Sequence, residues 1–78
     1  MDRKPVIAIT MGDPTGVGPE IVARALARED VQRSVAALVV GDPERLREGA
    51  RLAKAAVQVR AVDRAADARY EPGVIDCL

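Results

Sequence analysis

Twice in this sequence a short apolar run rich in β-branched residues stops at Gly-Asp-Pro. Pro5 to Met11 (PVIAITM) leads into Gly12-Asp13-Pro14, and Val35 to Val40 (VAALVV) leads into Gly41-Asp42-Pro43. A nearly continuous apolar run of that length is the pattern of a strand buried on both faces. Sequence of helical period follows each one. Pro19 and Glu20 open a segment in which Ile21, Val22, Ala25 and Leu26 share one stripe, while Glu20, Arg24 and Arg28 lie opposite. Proline suits the first helical turn, where its missing N–H would have no partner. Glu20 complements the positive end of the helix dipole and is spaced to pair with Arg24. After the second run Asp42 is placed to cap a helix with Pro43 at its first position. Leu46, Ala50, Ala53 and Val57 give the apolar stripe, predicting a helix that ends near Ala56.

Val57 to Val62 (VQVRAV) alternates apolar and polar positions, as a partly exposed strand does. Asp63 to Tyr70 is a polar, alanine-rich connector, Glu71-Pro72-Gly73 reads as a turn, and Val74 to Leu78 looks like the start of another strand. Parallel neighbours need a connection long enough to return the chain. Strand–helix–strand–helix–strand with short links therefore predicts an α/β fold, a parallel-sheet βαβαβ layer with right-handed crossovers, half of a doubly wound arrangement. The sequence ends inside the last strand-like run without a polar tail, so residues 1–78 are expected to be the N-terminal portion of a larger domain rather than a whole one.

Size points the same way. A single core in a chain of 78 residues seldom leaves more than about 3–5 kcal/mol of net stability. Here Trp and Phe are missing and Tyr70 is the only aromatic residue, so burial rests on Val, Ile, Leu and small alanines. Such a core suits a layer inside something larger.

Twelve basic residues, dispersed along the chain, balance twelve acidic ones, which leaves no net field to hold nucleic acid or an anionic membrane. Arg3 and Lys4 precede the first apolar run, but the run is too short for a signal peptide and no small-residue cleavage site follows it. No stretch approaches the roughly 20 apolar residues of a membrane span. The lone Cys77 has no partner for a disulfide and no histidine to activate it, so it reads as a small buried side chain. A soluble cytoplasmic protein is expected.

The segment between the first strand and the first helix, Gly12 to Glu20, lies where open α/β sheets place their ligands. Three glycines in its first seven residues allow a sharp turn and a close approach of backbone N–H groups to an anion or a cofactor edge. A tight strand-to-helix turn without ligand contact uses the same residues. Two well-known phosphate loops do not fit. The Walker pattern ends in Gly-Lys-Ser/Thr, whereas Val17 and Gly18 follow Gly16. The dinucleotide fingerprint needs a third glycine where this chain has Ile21. Asp13 and Thr15 can orient a ligand hydroxyl or hydrogen-bond their own loop. Glu20 reads as a first-turn residue paired with Arg24 rather than a catalytic acid, and Asp42 as a cap rather than a ribose ligand.

Gly12-Asp13-Pro14-Thr15-Gly16-Val17-Gly18-Pro19-Glu20 closely resembles the Gly-Asp-Pro-x-Gly-x-Gly-Pro-Glu opening of the 4-hydroxythreonine-4-phosphate dehydrogenase family, enzymes of the vitamin B6 pathway, and of their phospho-sugar-acid relatives. It is also similar to the Gly-Asp-Gly-x-Gly-Pro-Glu opening of isocitrate and isopropylmalate dehydrogenases, from which Pro14 sets it apart. Val39-Val40-Gly41-Asp42-Pro43 and Pro72-Gly73-Val74-Ile75-Asp76 also look like the first of these branches.

The resemblance implies the N-terminal part of an isocitrate/isopropylmalate dehydrogenase-like fold in a cytoplasmic homodimer. In that family NAD takes a hydride from the alcohol of a phosphorylated hydroxy acid, a divalent metal (zinc, magnesium or cobalt) polarises the developing carbonyl, and the product loses carbon dioxide. Gly12, Asp13, Thr15, Gly16 and Gly18 are the cofactor-binding candidates, and no catalytic residue is assigned. The family's metal ligands include histidines from both subunits. This chain has no histidine, so by itself it is expected to be inactive. Two alternatives stand beside 4-phosphohydroxy-L-threonine oxidation: a 4-phospho-erythronate or threonate dehydrogenase, and a small standalone phosphate- or nucleotide-binding module without catalysis.

Overall fold

The computed structural model describes residues 4–11 and 18–78. Its elements run β1 (Val6–Thr10), α1 (Pro19–Leu26), α2 (Glu29–Ser34), β2 (Ala36–Val40), α3 (Pro43–Leu52), β3 (Gln58–Ala61), a 3₁₀ turn at Ala65–Asp67, and β4 (Val74–Cys77). The strands form one sheet in the order β1-β2-β4-β3, and every neighbouring pair is parallel. The expected α/β layer is therefore present. β4 enters between β2 and β3, so the strand begun at Val74 is interior and β3 lies at an edge.

α1 and α3 pack on each other, and their inward residues meet one face of the sheet. Val22, Ala23 and Leu26 of α1, Leu46 and Ala50 of α3, Val39 of β2, and Ile75 and Cys77 of β4 make one buried cluster. Each fully buried aliphatic side chain contributes about 1.5–3 kcal/mol, and among these Val39 and Leu46 are sealed completely. The two helices approach so closely because α3 carries Gly49. A Cβ there would stand 2.4 Å from the Pro19 carbonyl carbon and 2.6 Å from the Glu20 nitrogen, so backbone rests on backbone.

The helix boundaries follow from their caps. Asp42 accepts a hydrogen bond from the Glu44 N–H at 2.9 Å and Pro43 occupies the first turn, as the sequence predicts. The far end of α3 differs from expectation: the helix stops at Leu52 rather than near Ala56, which leaves Val57 outside the stripe assigned to it. There the Ala55 N–H bonds to the Ala50 carbonyl and the Lys54 N–H to the Arg51 carbonyl. This is a Schellman stop, with Lys54 at φ 54° where glycine is usual. The short α2 is an addition to the predicted elements. It holds together through the Arg33–Glu29 ion pair at 3.1 Å and the Ser34 hydroxyl donating to the Asp30 carbonyl at 2.7 Å.

Two further expectations are corrected. β1 is not buried on both faces: it is one of the two edge strands among the described residues, with Val6 63% and Ile7 43% exposed. The α1 stripe is also only half used. Val22 and Leu26 are buried, joined by Ala23, whereas Ile21 is 59% exposed and Ala25 is exposed too. One cause underlies both, since among the described residues nothing packs beyond β1.

On the sheet face away from the α1–α3 cluster the connector after β3 folds back onto β4. Asp76 is fully buried there. Its carboxylate accepts from Arg60 Nε at 3.0 Å and from the backbone N–H groups of Arg69 at 3.2 Å and Tyr70 at 2.9 Å. The other arm of the Arg60 guanidinium reaches Glu71 at 2.8 Å.

Candidate functional site: the carboxyl edge of the sheet

The glycine-rich segment joins the carboxyl end of β1 to the N-terminus of α1. Of its candidate residues, Gly12, Asp13, Thr15 and Gly16 lie outside the described residues, and Gly18 is described as the N-cap of α1. Gly18 has an extended backbone (φ −76°, ψ 161°), and among the described residues nothing stands near where a Cβ would lie, so its backbone conformation does not itself demand glycine. Its carbonyl accepts the Val22 N–H at 3.0 Å, and among the described residues no side chain caps the first-turn donors of α1. Those donors open onto the carboxyl edge of the sheet, with the positive end of the helix dipole behind them.

The same edge brings other segments together. Met11 continues the β1–β2 pairing through its N–H to Val40 at 3.0 Å, and its side chain fills the space beside Gly41, where a Cβ would meet Met11 Cε at 3.0 Å. The Gly41 N–H reaches the Leu78 carbonyl at 3.2 Å. The ends of β1, β2 and β4 thus form a closed seam next to the α1 N-terminus. Gly49 fixes that N-terminus from the α3 side.

The described acidic residues near this edge are occupied by structure. Glu20 pairs with Arg24 at 2.9 Å, and Asp42 caps α3, each as the sequence predicts. Cys77 is buried, and burial foremost, with the Asp42 charge second, pushes its thiol above its ordinary value, although Arg47 pulls the other way. A thiol held protonated is a poor nucleophile. Among the described residues no group of three or more His, Cys, Asp or Glu side chains is placed to hold a metal ion, and no helix is long and apolar enough to cross a membrane.

Sequence reasoning missed Asp76 and Gly49. Asp76 sits in a strand-like run where its neighbours are apolar, and an isolated carboxylate among Val74, Ile75 and Cys77 is itself the available signal: a buried charge requires partners. Gly49 has no comparable mark beyond being a glycine inside a helical pattern. A cavity of about 370 Å³ opens at the opposite, amino end of the strands, with Leu26, Val31, Gln32, Tyr70 and Val74 in its wall.

No protein-family model matches the chain. Individual proteins do. The chain is 43% identical over 77 residues to a D-threonate 4-phosphate dehydrogenase of Cupriavidus necator, a match covering 99% of the chain and 23% of that enzyme. It is 50% identical over 62 residues to a 4-hydroxythreonine-4-phosphate dehydrogenase of Geobacter metallireducens, covering 80% of the chain and 18% of the enzyme. The crystal structure of a 4-hydroxythreonine-4-phosphate dehydrogenase from Burkholderia phymatum superposes with a TM-score of 0.89 at 42% identity, over 99% of the chain and 23% of that structure. The chain therefore spans about a quarter of the length of these relatives. Agreement in sequence and in fold over that span places it in the family of the 4-hydroxythreonine-4-phosphate and D-threonate 4-phosphate dehydrogenases.

Proposed function

We propose that this chain supplies the glycine-rich wall of the cleft in an NAD-dependent dehydrogenase that oxidises a 4-phosphorylated hydroxy acid. The substrate is 4-phosphohydroxy-L-threonine, on the route to pyridoxal phosphate, or its close relative D-threonate 4-phosphate. The observation that carries the reading is the match to named dehydrogenases of both kinds, over 99% and 80% of the chain. The first-turn donors at the α1 N-terminus, which no described side chain caps, support it, because such donors favour an anionic group or a cofactor edge at that point. In this reading the working enzyme is a cytoplasmic homodimer, and Gly12, Asp13, Thr15, Gly16 and Gly18 line the cofactor side of the cleft.

NAD, when bound, accepts the hydride from the substrate alcohol. The part of this chain is to shape and orient. Gly49 and the Asp42-capped α3 hold the first turn of α1 in place, and the seam of Met11, Gly41 and Leu78 ties the strand ends together beside it. The described residues do not fit a divalent metal, so metal ligation in this proposal belongs to other parts of the enzyme.

The test compares the 78-residue chain with the native polypeptide that carries it. Each is mixed with NAD, a divalent metal and either phosphorylated acid, and NADH is followed. The native polypeptide is expected to turn over one of the acids. The chain alone is expected to give no NADH and no rise in melting temperature on adding NAD and metal, since a ligand stabilises only where its site is complete. Failure of the native polypeptide with both acids would overturn the proposal; turnover by the isolated chain would overturn the assignment of catalysis to residues beyond it.

A further inference from the structure

We infer that Gly41 and Gly49 are positioning residues for the glycine-rich segment. They clamp its two ends to the second strand–helix unit and so fix the frame in which residues 12–18 meet their ligand. Among the described glycines, a positive φ accounts for Gly73 alone. Gly41 and Gly49 are the two where a Cβ would be crowded, and in each case the crowding atoms belong to a flank of the segment. At Gly41 they are Met11 Cε at 3.0 Å, Met11 Cβ at 3.1 Å and the Met11 carbonyl oxygen at 3.3 Å, directly before Gly12. At Gly49 they are the Pro19 carbonyl carbon at 2.4 Å, the Glu20 nitrogen at 2.6 Å and Pro19 Cβ at 2.7 Å, directly after Gly18. The two contacts bracket the segment.

Neither glycine serves the element that carries it. Inside a helix glycine is less favourable than alanine, yet Gly49 stands in the interior of α3. Neither can retreat from its contact. The Gly41 N–H donates to the Leu78 carbonyl at 3.2 Å, and the Gly41 carbonyl accepts the Cys77 thiol at 3.5 Å, which ties this residue to the end of β4. Gly49 shares its helix face with Leu46 and Ala50, both buried in the core. An added methyl group therefore has to displace the flank. Carbon atoms meet without strain at about 3.5–4.0 Å, so Gly49→Ala pushes the first turn of α1 back by about 1 Å. Val22, Ala23 and Leu26 stay anchored in the core, which concentrates the movement at the entry to the helix. At Gly41 the nearest atom is the flexible end of Met11, and the displacement is smaller.

That the ligand is NAD rests on the dehydrogenase reading above, whereas the clamp rests on these contacts alone. A misplacement of about 1 Å far from the chemistry can cost about a hundredfold, so a clamp of this kind governs how well the segment holds its ligand without touching the ligand itself.

The test uses the native polypeptide that carries this chain, as parent and as Gly49→Ala, Gly41→Ala and Asp76→Ala variants. NAD affinity is measured by calorimetry without substrate, KM for NAD and kcat by NADH formation, and hydrogen exchange by mass spectrometry on peptides covering residues 12–22. Gly49→Ala is expected to weaken NAD binding and raise KM for NAD about 10- to 100-fold. Its kcat changes far less, the pattern of lost uniform binding, and exchange across residues 12–22 speeds up. Gly41→Ala is expected to shift the same quantities in the same sense by a smaller factor. Asp76→Ala destabilises the fold from the opposite face of the sheet and is expected to keep the parent's NAD affinity, which separates positioning from general loss of stability.

Parent values of NAD affinity and exchange in Gly49→Ala overturn the proposal, and so does an equal loss of affinity in Asp76→Ala. Should Gly49→Ala fail to fold, Gly41→Ala decides on the same terms. A parent that neither binds NAD nor forms NADH refutes the cofactor reading instead, and exchange across residues 12–22 then still decides the clamp.

Discussion

The buried carboxylate of Asp76 holds the Tyr70 backbone in a left-handed turn: it accepts the Tyr70 N–H at 2.9 Å while Tyr70 sits at φ 53°. Bulky residues avoid that region, so the hydrogen bonds from Tyr70 and Arg69 offset a local strain and pin the connector to β4. Asp76→Ala leaves two backbone N–H groups and the Arg60 Nε–H without their acceptor, although Arg60 keeps Glu71. A loss of about 2–3 kcal/mol is expected, the usual penalty for buried polar groups left unpaired, read as a lower urea midpoint at unchanged slope.

Lys54 takes the place of glycine at the end of α3, with φ 54° and an exposed side chain. Lys54→Gly relieves the left-handed strain and removes no buried contact. A gain of about 0.5–1 kcal/mol is expected after the greater flexibility of glycine in the unfolded chain is subtracted, and a rise in melting temperature checks it.

Gly49→Ala puts a methyl group into backbone atoms of Pro19 and Glu20. Alanine is the better helix former by about 1 kcal/mol, so propensity alone predicts stabilisation. Overpacking against immovable backbone outweighs it, and a net loss of about 1–3 kcal/mol is expected. A variant as stable as the parent would show that α1 is free to move away.

Asp42→Ala removes the acceptor for the Glu44 N–H. The expected loss is about 1 kcal/mol, accompanied by faster hydrogen exchange in the first turn of α3.

Cys77 gives the pH dependence. Burial raises its thiol above the ordinary value of 9.0, so the folded chain holds this proton more tightly than the unfolded chain does. The resulting stability is complete below the unfolded value and is lost as pH climbs through the higher folded one. Unfolding free energy is therefore expected to fall above pH 9.0, and a Cys77→Ala variant to lack that alkaline decline. Thiol reagents should label Cys77 at the rate of unfolding rather than at the rate of a free thiol.

Much of this architecture is legible in the residue order because its signals are local. The paired strand-then-Gly-Asp-Pro units locate β1, β2 and the starts of α1 and α3, and Asp42 and Pro43 name their own roles. The misreadings share another physical origin. α3 ends early through a motif whose usual marker, glycine, is replaced by Lys54. α2 is too short and polar to show an apolar stripe, although the Glu29–Arg33 spacing is a trace of it. The exposure of Ile7 and Ile21 depends on what lies beyond β1, and no periodicity within a strand or helix reports its neighbours. The glycine-rich segment was legible as a motif, and its tie to α3 was not, since nothing near Gly49 distinguishes it from any helical glycine.

That tie governs how the segment responds to its surroundings. Side chains between two helices act as a cushion, shifting rotamers to absorb small displacements. At Gly49 there is no cushion, and the first turn of α1 bears on α3 as one stiff strut bears on another. A tilt of α3 is passed undamped to the spot where the glycine-rich segment enters its helix, so the second βα unit sets the aim of the first.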